Sequence, residues 1–436
     1  MYDFILCNVP KSDVYSPIIG LPILKSVLNE NSYLSKIIDF NIELYQCYKD
    51  IFNVNEWVDL DLIFKQPITN NDLYTKLLDE WTDLIISYDP RYVGFSAFSG
   101  HNINPIKAFT KLIREKNPNI KIVIGGPMTI WLHDTLFSQG LIDYSVIGYG
   151  EEAILKILND KPFVGVNDGE SCRRINLSKS PFPDFSDLDL SKYTSGAKLY
   201  TYSSRGCTQH CSFCDVNDIW NGFNTRDPKR VVEEMTNGYN TYNINEFEFC
   251  DSLVNGHLGN MRDLCNELVN HNFKWDGMFR IRNMMDTDYM LLKHSGCVLL
   301  KIGIESGDSE VRKHMGKHFT NDDIFKTLEN LKRVNLPCDL FFVTGYPTET
   351  EEAFLETKKL IKQFYDRGFD NIISNIRVQP LEIHRSPLKS LKDSEAQEKR
   401  YSRYHELRQY LLEIGFTIRR DKKMKLLVKE YETLRN

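Results

Sequence analysis

The chain has 436 residues, 42% hydrophobic and 12% aromatic, which suits a globular protein too long for one core and so of two domains or more. Its 54 basic and 60 acidic residues leave a net charge of −6, which gives no overall attraction to nucleic acid. The longest apolar runs are strand-sized, and the opening MYDFILCNVP lacks the basic segment and long apolar stretch of a secretory leader, so a cytoplasmic protein with no membrane span is expected.

Residues 1–160 predict alternating strands and helices. DFILCNV reads as a strand, followed by the loop KSDVYSPIIGLP and a helix over ILKSVLNENS. KIIDFNI and YVGFSAFSG read as further strands, and NPIKAFTKLIREKNP as a helix leading to strand KIVIGGP. YSVIGYGEEAILKIL passes from strand through a glycine turn into a helix. Apolar strands alternating with amphipathic helices specify an α/β fold with a parallel, doubly wound, Rossmann-like sheet. Its glycine turns fall at the strands' carboxyl ends, where such sheets bind ligands. Between 161 and 198 the pattern gives way to KSPFPDFSDLDLSKY, whose Pro, Asp and Ser suit an extended linker.

From 199 to 380 the alternation returns, with strands at LYTYSS, FEFCD, WDGMFRI, VLLKIGIESG, CDLFFVTGYP and NIISNIRVQ. Thr320 with Asp323, and Thr348 with Glu351, fit helix N-caps with an acid three residues on. Six strands with helices between the later ones predict a partial (β/α)6 barrel. The tail, 381–436, predicts a small helical C-terminal extension, EAQEKRYSRYHELRQYLLEIG, and a basic run, RRDKKMKLLVK, both read as solvated.

Ten cysteines in a chain without a leader point to a reducing compartment and not to a disulfide framework. Seven are scattered singly in apolar stretches and read as core filler. The other three, Cys207, Cys211 and Cys214, stand together in SSRGCTQHCSFCD. A structural zinc site would want a fourth protein ligand, and no second C-x2-C exists. Three thiolates on a loop directly after a strand suit a [4Fe–4S] cluster with one iron left open for a chelating ligand.

That segment resembles the cluster motif of the radical S-adenosylmethionine (SAM) superfamily, and FEFCDS, MFRIRN, HSGCVLLKIGIESGDSEVRKHMGK and VTGYPTETEEAF resemble successive strand ends of one of its branches. In that branch the barrel follows a cobalamin-binding-type domain, which GLPILKSVLNENSY, VGFSAFSGHN, IVIGGP and IGYGEEAI resemble in order. The resemblance covers nearly residues 1–380. It implies that Phe213 lies near the adenine, that Glu305 accepts hydrogen bonds from the ribose or the methionine ammonium, and that Arg280 contacts the methionine carboxylate, with Arg282 the competing choice. Gly345, with Pro347, would let backbone approach the adenine, and Asp251 would either contact SAM or substrate or cap a helix. Candidate corrin contacts are Ser99, Gly100, Gly125, Gly126, Gly148 and Glu151. No D-x-H-x-x-G occurs, and His101 reads as a loop histidine in preference to a cobalt ligand.

The implied protein is a cobalamin-dependent radical SAM methyltransferase acting on an unactivated carbon or a phosphinate centre of a small molecule. An electron donor such as a flavodoxin or ferredoxin is implied too, with no nucleic-acid or membrane partner. The implied chemistry is reductive cleavage of SAM to a 5′-deoxyadenosyl radical, hydrogen abstraction from substrate, and methyl donation through cobalamin. The alternatives are a radical cyclase, isomerase or oxidative enzyme, a methylthiotransferase or tRNA modifier, and a non-enzymatic iron–sulfur scaffold.

Overall fold

A computed structural model describes residues 1–52, 72–161, 163–194, 198–381, 388 and 394–416. Strands β1 (Tyr2–Asn8), β2 (Ser35–Asp39), β3 (Pro90–Ser96), β4 (Lys121–Gly125) and β5 (Tyr144–Val146) form a fully parallel sheet in the order β2-β1-β3-β4-β5. The order reverses at β1. Right-handed crossovers therefore put helices on both faces, and a crevice opens where β1 and β3 diverge.

The side chains of β1 show the consequence. Ile5 and Cys7 enter one core with Phe40, Trp81 and Phe109, while Phe4 and Leu6 enter another with Leu21, Leu28 and Ile154. Burial on both faces is why these strands read as near-continuous apolar runs. Helices Gly20–Glu30, Ile103–Lys116 and Gly150–Leu158 match the expected ones, and Phe40–Phe52, Asp72–Ser87 and Thr129–Ser138 join them.

The second sheet is also parallel throughout and contains β6 (Lys198–Thr201), β9 (Glu246–Phe249), β10 (Lys274–Phe279), β11 (Cys297–Glu305), β12 (Cys338–Thr344) and β13 (Ile373–Pro380). Its order follows the chain without reversal. Every crossover then falls on the same face, which is the connectivity of a partial (β/α)6 barrel. Leu199, Phe247, Trp275, Leu300, Leu340 and Ile376 pack outward in one large core with the helices. Alternate positions carry charge instead. Lys198 pairs with Glu248 at 3.0 Å and with Asp276, and Lys301 pairs with Asp276 at 2.7 Å and with Glu248, so two cations and two carboxylates neutralise one another across four neighbouring strands. Between β6 and β9 lies a small antiparallel hairpin of β7 (Ser204–Arg205) and β8 (Asn224–Thr225).

Three expectations change. The 161–198 segment is irregular but not free. Lys25 holds Asp184 at 3.2 Å and Asp187 at 2.7 Å, and Ser26 Oγ donates to Phe182 O at 2.6 Å, strapping the segment along helix Gly20–Glu30. The helix in the tail, Ser394–Glu413, is not a solvated appendage: Leu407 and Leu411 are fully buried in the barrel core, because their spacing of four residues puts both on one helix face. The basic run lies outside the described residues. Thr320 does cap its helix with Asp323 in a capping box, but the cap of Glu351–Asp366 is Thr350, whose hydroxyl accepts from Ala353 N, and not Thr348.

Candidate active site at the domain interface

The cysteine loop is the connection of the β7–β8 hairpin. Asp251, just past β9, accepts from Ser203 N at 2.8 Å and from Ser203 Oγ and Ser204 Oγ, each at 2.6 Å, and so ties the approach to the hairpin to the neighbouring strand. It caps no helix. Gly206, immediately before Cys207, has φ +83°, and a Cβ there would stand 1.9 Å from Gly222 O. Glycine is required at that position by space as well as by backbone.

Cys207, Cys211 and Cys214 are all free and part-buried. Burial pushes the Cys214 thiol up to about 11, and burial raises Cys211 as well, with Lys317 and Arg280 drawing Cys211 back down and Glu305 and Cys207 raising it further. Among the described residues no three His, Cys, Asp or Glu side chains close around a single metal ion. Thiolates on a cluster attach to different irons and stand farther apart, and metal binding deprotonates them whatever their resting value. The donor set fits a cluster: three thiols of one loop, with the Arg280 and Lys317 cations acting on them.

The barrel supplies those cations. Fully buried Asn255 clamps Arg280 through both backbone groups, accepting from its N at 3.1 Å and donating to its O at 3.0 Å. The Arg280 guanidinium is half-buried, donates from Nε to Ile281 O at 3.3 Å and acts electrostatically on Cys211 and Cys207. Arg282 instead spends Nη1 on Asn255 O and Gly256 O at 2.7 and 3.0 Å. Of the two arginines, Arg280 is the one whose charge bears on the thiols.

Glu305 ends β11 at a register shift, buried, with φ +69°, a conformation rare for a residue other than glycine. Its Oε1 accepts from Lys317 Nζ at 2.6 Å. Phe213 packs with Val311, Met315, Tyr346, Ala353 and Leu381. Gly345 has φ +76°, and Arg400 of the C-terminal helix fills the space a Cβ would take, 1.8 Å from Arg400 Cγ. Tyr346 joins this turn to the cysteine loop by its hydroxyl, 2.7 Å from Ser212 Oγ.

Between the first domain and the flanks of the cysteine loop lies a cavity of about 490 Å³, in the size range of small-molecule and cofactor sites; the three cysteines, Phe213, Arg280, Glu305 and Gly345 are not among the residues that line it. Gly125, Gly126, Gly148, Gly150 and Glu151 line one side, and Tyr200, Tyr202, Arg205, Trp220 and Cys250 the other. Gly126 at φ +104° passes close to Ala97 O, whereas a Cβ on Gly125 would meet nothing nearer than Val146 O at 3.8 Å. A side chain at Gly125 would extend into the open space that a flat macrocycle needs, so the glycine there, with the apolar lining, fits a corrin. Ser99 and Gly100 lie beside the cavity wall in a loop held by buried Asn102, which accepts from Ser99 N at 2.7 Å and donates to Pro10 O at 2.8 Å. A second hollow, about 660 Å³ and lined by Tyr144, Phe163 and Val166 among others, lies at the amino end of β5, away from these strand ends.

An ion pair is among the contacts that join the two halves directly. Arg205 Nη2 stands 2.7 Å from Glu151 Oε1, off the hydrogen-bond line, and the guanidinium lies over the rings of Tyr202, Trp220 and Tyr149 at 4.6, 5.3 and 5.4 Å. Gly148 backs onto the helix that follows Cys214, where a Cβ would meet Ile219 O at 2.6 Å. Asn102, Asn255, Lys317 and Tyr346 are parts of the site that spacing did not mark. Asn102, Lys317 and Tyr346 lie within VGFSAFSGHN, HSGCVLLKIGIESGDSEVRKHMGK and VTGYPTETEEAF, whereas the neutral Asn255 lies outside every motif.

A doubly wound domain and a partial barrel with a three-cysteine loop, sharing a cavity at their strand ends, define a two-domain cofactor-binding architecture. Residues 6–158 match the sequence model of the B12 binding domain and residues 201–361 that of the Radical SAM superfamily. The chain thus joins a B12-binding-type region to a Radical SAM-type region in one polypeptide. It is 25% identical over 307 residues to an uncharacterized methyltransferase of Pyrococcus horikoshii, a match covering 64% of this chain and 66% of that one. It is 24% identical over 326 residues to the anaerobic magnesium-protoporphyrin IX monomethyl ester cyclase of Synechocystis, covering 69% and 63%. The chain thus spans slightly under two thirds of the length of these relatives. The fold is that of the radical SAM methyltransferase TsrM from Kitasatospora setae with cobalamin and a [4Fe–4S] cluster bound, at a TM-score of 0.64 and 16% identity, covering 89% of this chain and 77% of that one. Among the described residues no helix is long and apolar enough to cross a membrane.

Proposed function

We propose that this chain is a cobalamin-dependent radical SAM methyltransferase acting on an unactivated carbon or a phosphinate centre of a small molecule. The observation that carries the reading is the cavity bounded by the first domain's glycine turns and by the hairpin whose loop carries the cysteines. When bound, the cluster, SAM and cobalamin supply radical generation and methyl transfer.

The chain's own residues do the holding. Cys207, Cys211 and Cys214 anchor the cluster. Arg280 and Glu305 offer opposite charges to the two ends of an amino acid, guanidinium to carboxylate and carboxylate to ammonium or ribose. The apolar wall of Leu6, Leu24, Val123, Ile154 and Trp220 excludes water from the space in which a reactive intermediate must survive. In this reading the protein works in a cytoplasmic, reducing compartment and takes electrons from a flavodoxin or ferredoxin.

The test uses the full chain, reconstituted without oxygen and given reductant, cobalamin and SAM. Both 5′-deoxyadenosine and S-adenosylhomocysteine should form, the second only with cobalamin present. 5′-Deoxyadenosine alone would favour a radical cyclase, isomerase or oxidative enzyme, the reading that the cyclase relative supports. Neither product would leave an iron–sulfur scaffold.

A further inference from the structure

Helix Ser309–His314 ends in a tight turn, Met315–Gly316–Lys317. Gly316 takes φ +82°, and Lys317 N donates to Arg312 O at 2.8 Å. The turn is seated on the cysteine loop. Ser212 N donates to Met315 O at 3.1 Å, and a Cβ on Gly316 would lie 3.1 Å from His210 O and 3.3 Å from Cys211 Cα. From this seat the Lys317 side chain, 14% exposed, reaches back to β11, where Nζ donates to Glu305 Oε1 at 2.6 Å and to Gly303 O at 3.1 Å.

Two backbone features serve that ion pair. Gly303 leaves room for it, since a Cβ there would come within 2.3 Å of Glu305 Oε1 and 2.7 Å of Lys317 Nζ. Glu305 accepts a left-handed backbone to reach it. Fully buried Arg312 pins the adjoining turn, donating to Ser306 O at 2.6 Å and to Asn321 Oδ1 at 2.7 Å. A buried carboxylate without its cation tends to protonate or to swing away. Here the cation is supplied by the same turn that seats Cys211.

We infer that Lys317 is a positioning residue of the SAM site, which holds the Glu305 carboxylate in place through Oε1 with Oε2 left for the cofactor and sets a fixed positive charge beside the Cys211 limb of the cluster. The inference rests on the radical SAM reading above. Among the described residues Glu305 Oε2 has no recorded hydrogen bond, so the pair does not exhaust the carboxylate. The turn that carries Lys317 lies directly against Cys211, with Gly316 in close contact with Cys211 Cα. Reduction adds negative charge to a cluster, and a fixed cation beside it favours the reduced form. Lys317 therefore raises the cluster's midpoint potential.

The experiment compares the full chain with Lys317→Met, Lys317→Arg, Glu305→Gln and the Lys317→Met/Glu305→Gln pair, each reconstituted anaerobically. Iron content, SAM affinity and midpoint potential are read separately. Lys317→Met should keep four irons, bind SAM at least tenfold more weakly and show a more negative potential. Lys317→Arg should restore the potential more fully than the affinity. On the Glu305→Gln background the methionine change should cost no further affinity but still lower the potential. An iron-replete Lys317→Met with unchanged affinity and potential overturns the inference. So does a variant that loses iron while the remaining clusters keep both values, because Lys317 would then be merely structural. A parent chain that takes up neither iron nor SAM defeats the radical SAM reading itself, and this inference with it.

Discussion

Gly206→Ala isolates the geometry of the cysteine loop more sharply than removal of the cysteines does. The methyl group would start 1.9 Å from Gly222 O, in a hairpin whose two strands pair over only two residues each. The clash is with backbone, so no side chain can rotate away. Left-handed backbone costs alanine about 1–2 kcal/mol, and forcing a group into a filled space adds about 1–3 kcal/mol, for a total of about 2–5 kcal/mol. Gly222→Ala is the control within the same hairpin. It shares the left-handed backbone, φ +92°, but its Cβ would meet only Arg174 Nη1 at 3.9 Å, so about 1–2 kcal/mol is expected. Urea unfolding gives the two stabilities, and iron per chain after anaerobic reconstitution gives the state of the loop. Gly206→Ala should be the less stable variant and should lose most of its iron, while Gly222→Ala keeps it. Parental iron content in Gly206→Ala would refute the claim that this close approach shapes the cluster loop.

Glu305→Ala, with the cluster intact, should weaken SAM binding by about 1.5–3 kcal/mol, roughly ten- to a hundredfold by calorimetry, and unchanged affinity would remove the residue from the site. Burial pushes Glu248 up, but Lys301 and Lys198 outweigh it and hold the carboxyl below the usual glutamate range. Its contribution to stability is therefore complete above the unfolded value of about 4.3 and is lost as pH falls through the lower folded value. Glu248→Gln should be less stable at pH 7 and show a shallower acid limb in urea unfolding; identical limbs would contradict the ion-pair assignment. His101 is exposed on a 3-10 turn and does not line the cavity. With the cofactor's own benzimidazole displaced and no protein imidazole in its place, the cobalt(II) electron paramagnetic resonance spectrum should show no nitrogen splitting, and His101→Ala should leave it unchanged. A nitrogen triplet lost in that variant would show protein ligation.

Local patterns were legible in the sequence, and long-range ones were not. The spacing of Cys207, Cys211 and Cys214 is a property of eight consecutive residues, and the six barrel strands are short apolar runs bounded by turn residues, so both could be read directly. The capping box at Thr320 and Asp323 is equally local. The threonine pair at 348 and 350 shows the limit, because Thr348 has the acid three residues on and Thr350 has Ala353 there, yet the helix is capped by Thr350. Arg205 meets Glu151 across 54 positions of chain, and nothing near either residue announces the aromatic enclosure of Tyr149, Tyr202 and Trp220. The C-terminal helix looked solvated because its charged residues outnumber its apolar ones. Leu407 and Leu411 nevertheless reach the core, and Arg403 is buried against Glu349 at 2.8 Å, so some of that charge is structural. Gly345 was legible as a turn glycine, but not the arginine that packs against it.

The central claim is that one chain holds both a cluster and a corrin, and metal analysis of the anaerobically reconstituted chain tests it most directly. Iron and cobalt should be counted on the same gel-filtered sample, after loading with iron, sulfide and cobalamin. The account predicts four irons and one cobalt per chain, with the iron lost and the cobalt retained when Cys207, Cys211 and Cys214 are all replaced by alanine. Zinc at the cysteines in place of iron would contradict the cluster. Four irons without cobalt would reduce the first domain to a scaffold and remove methyl transfer as the leading chemistry.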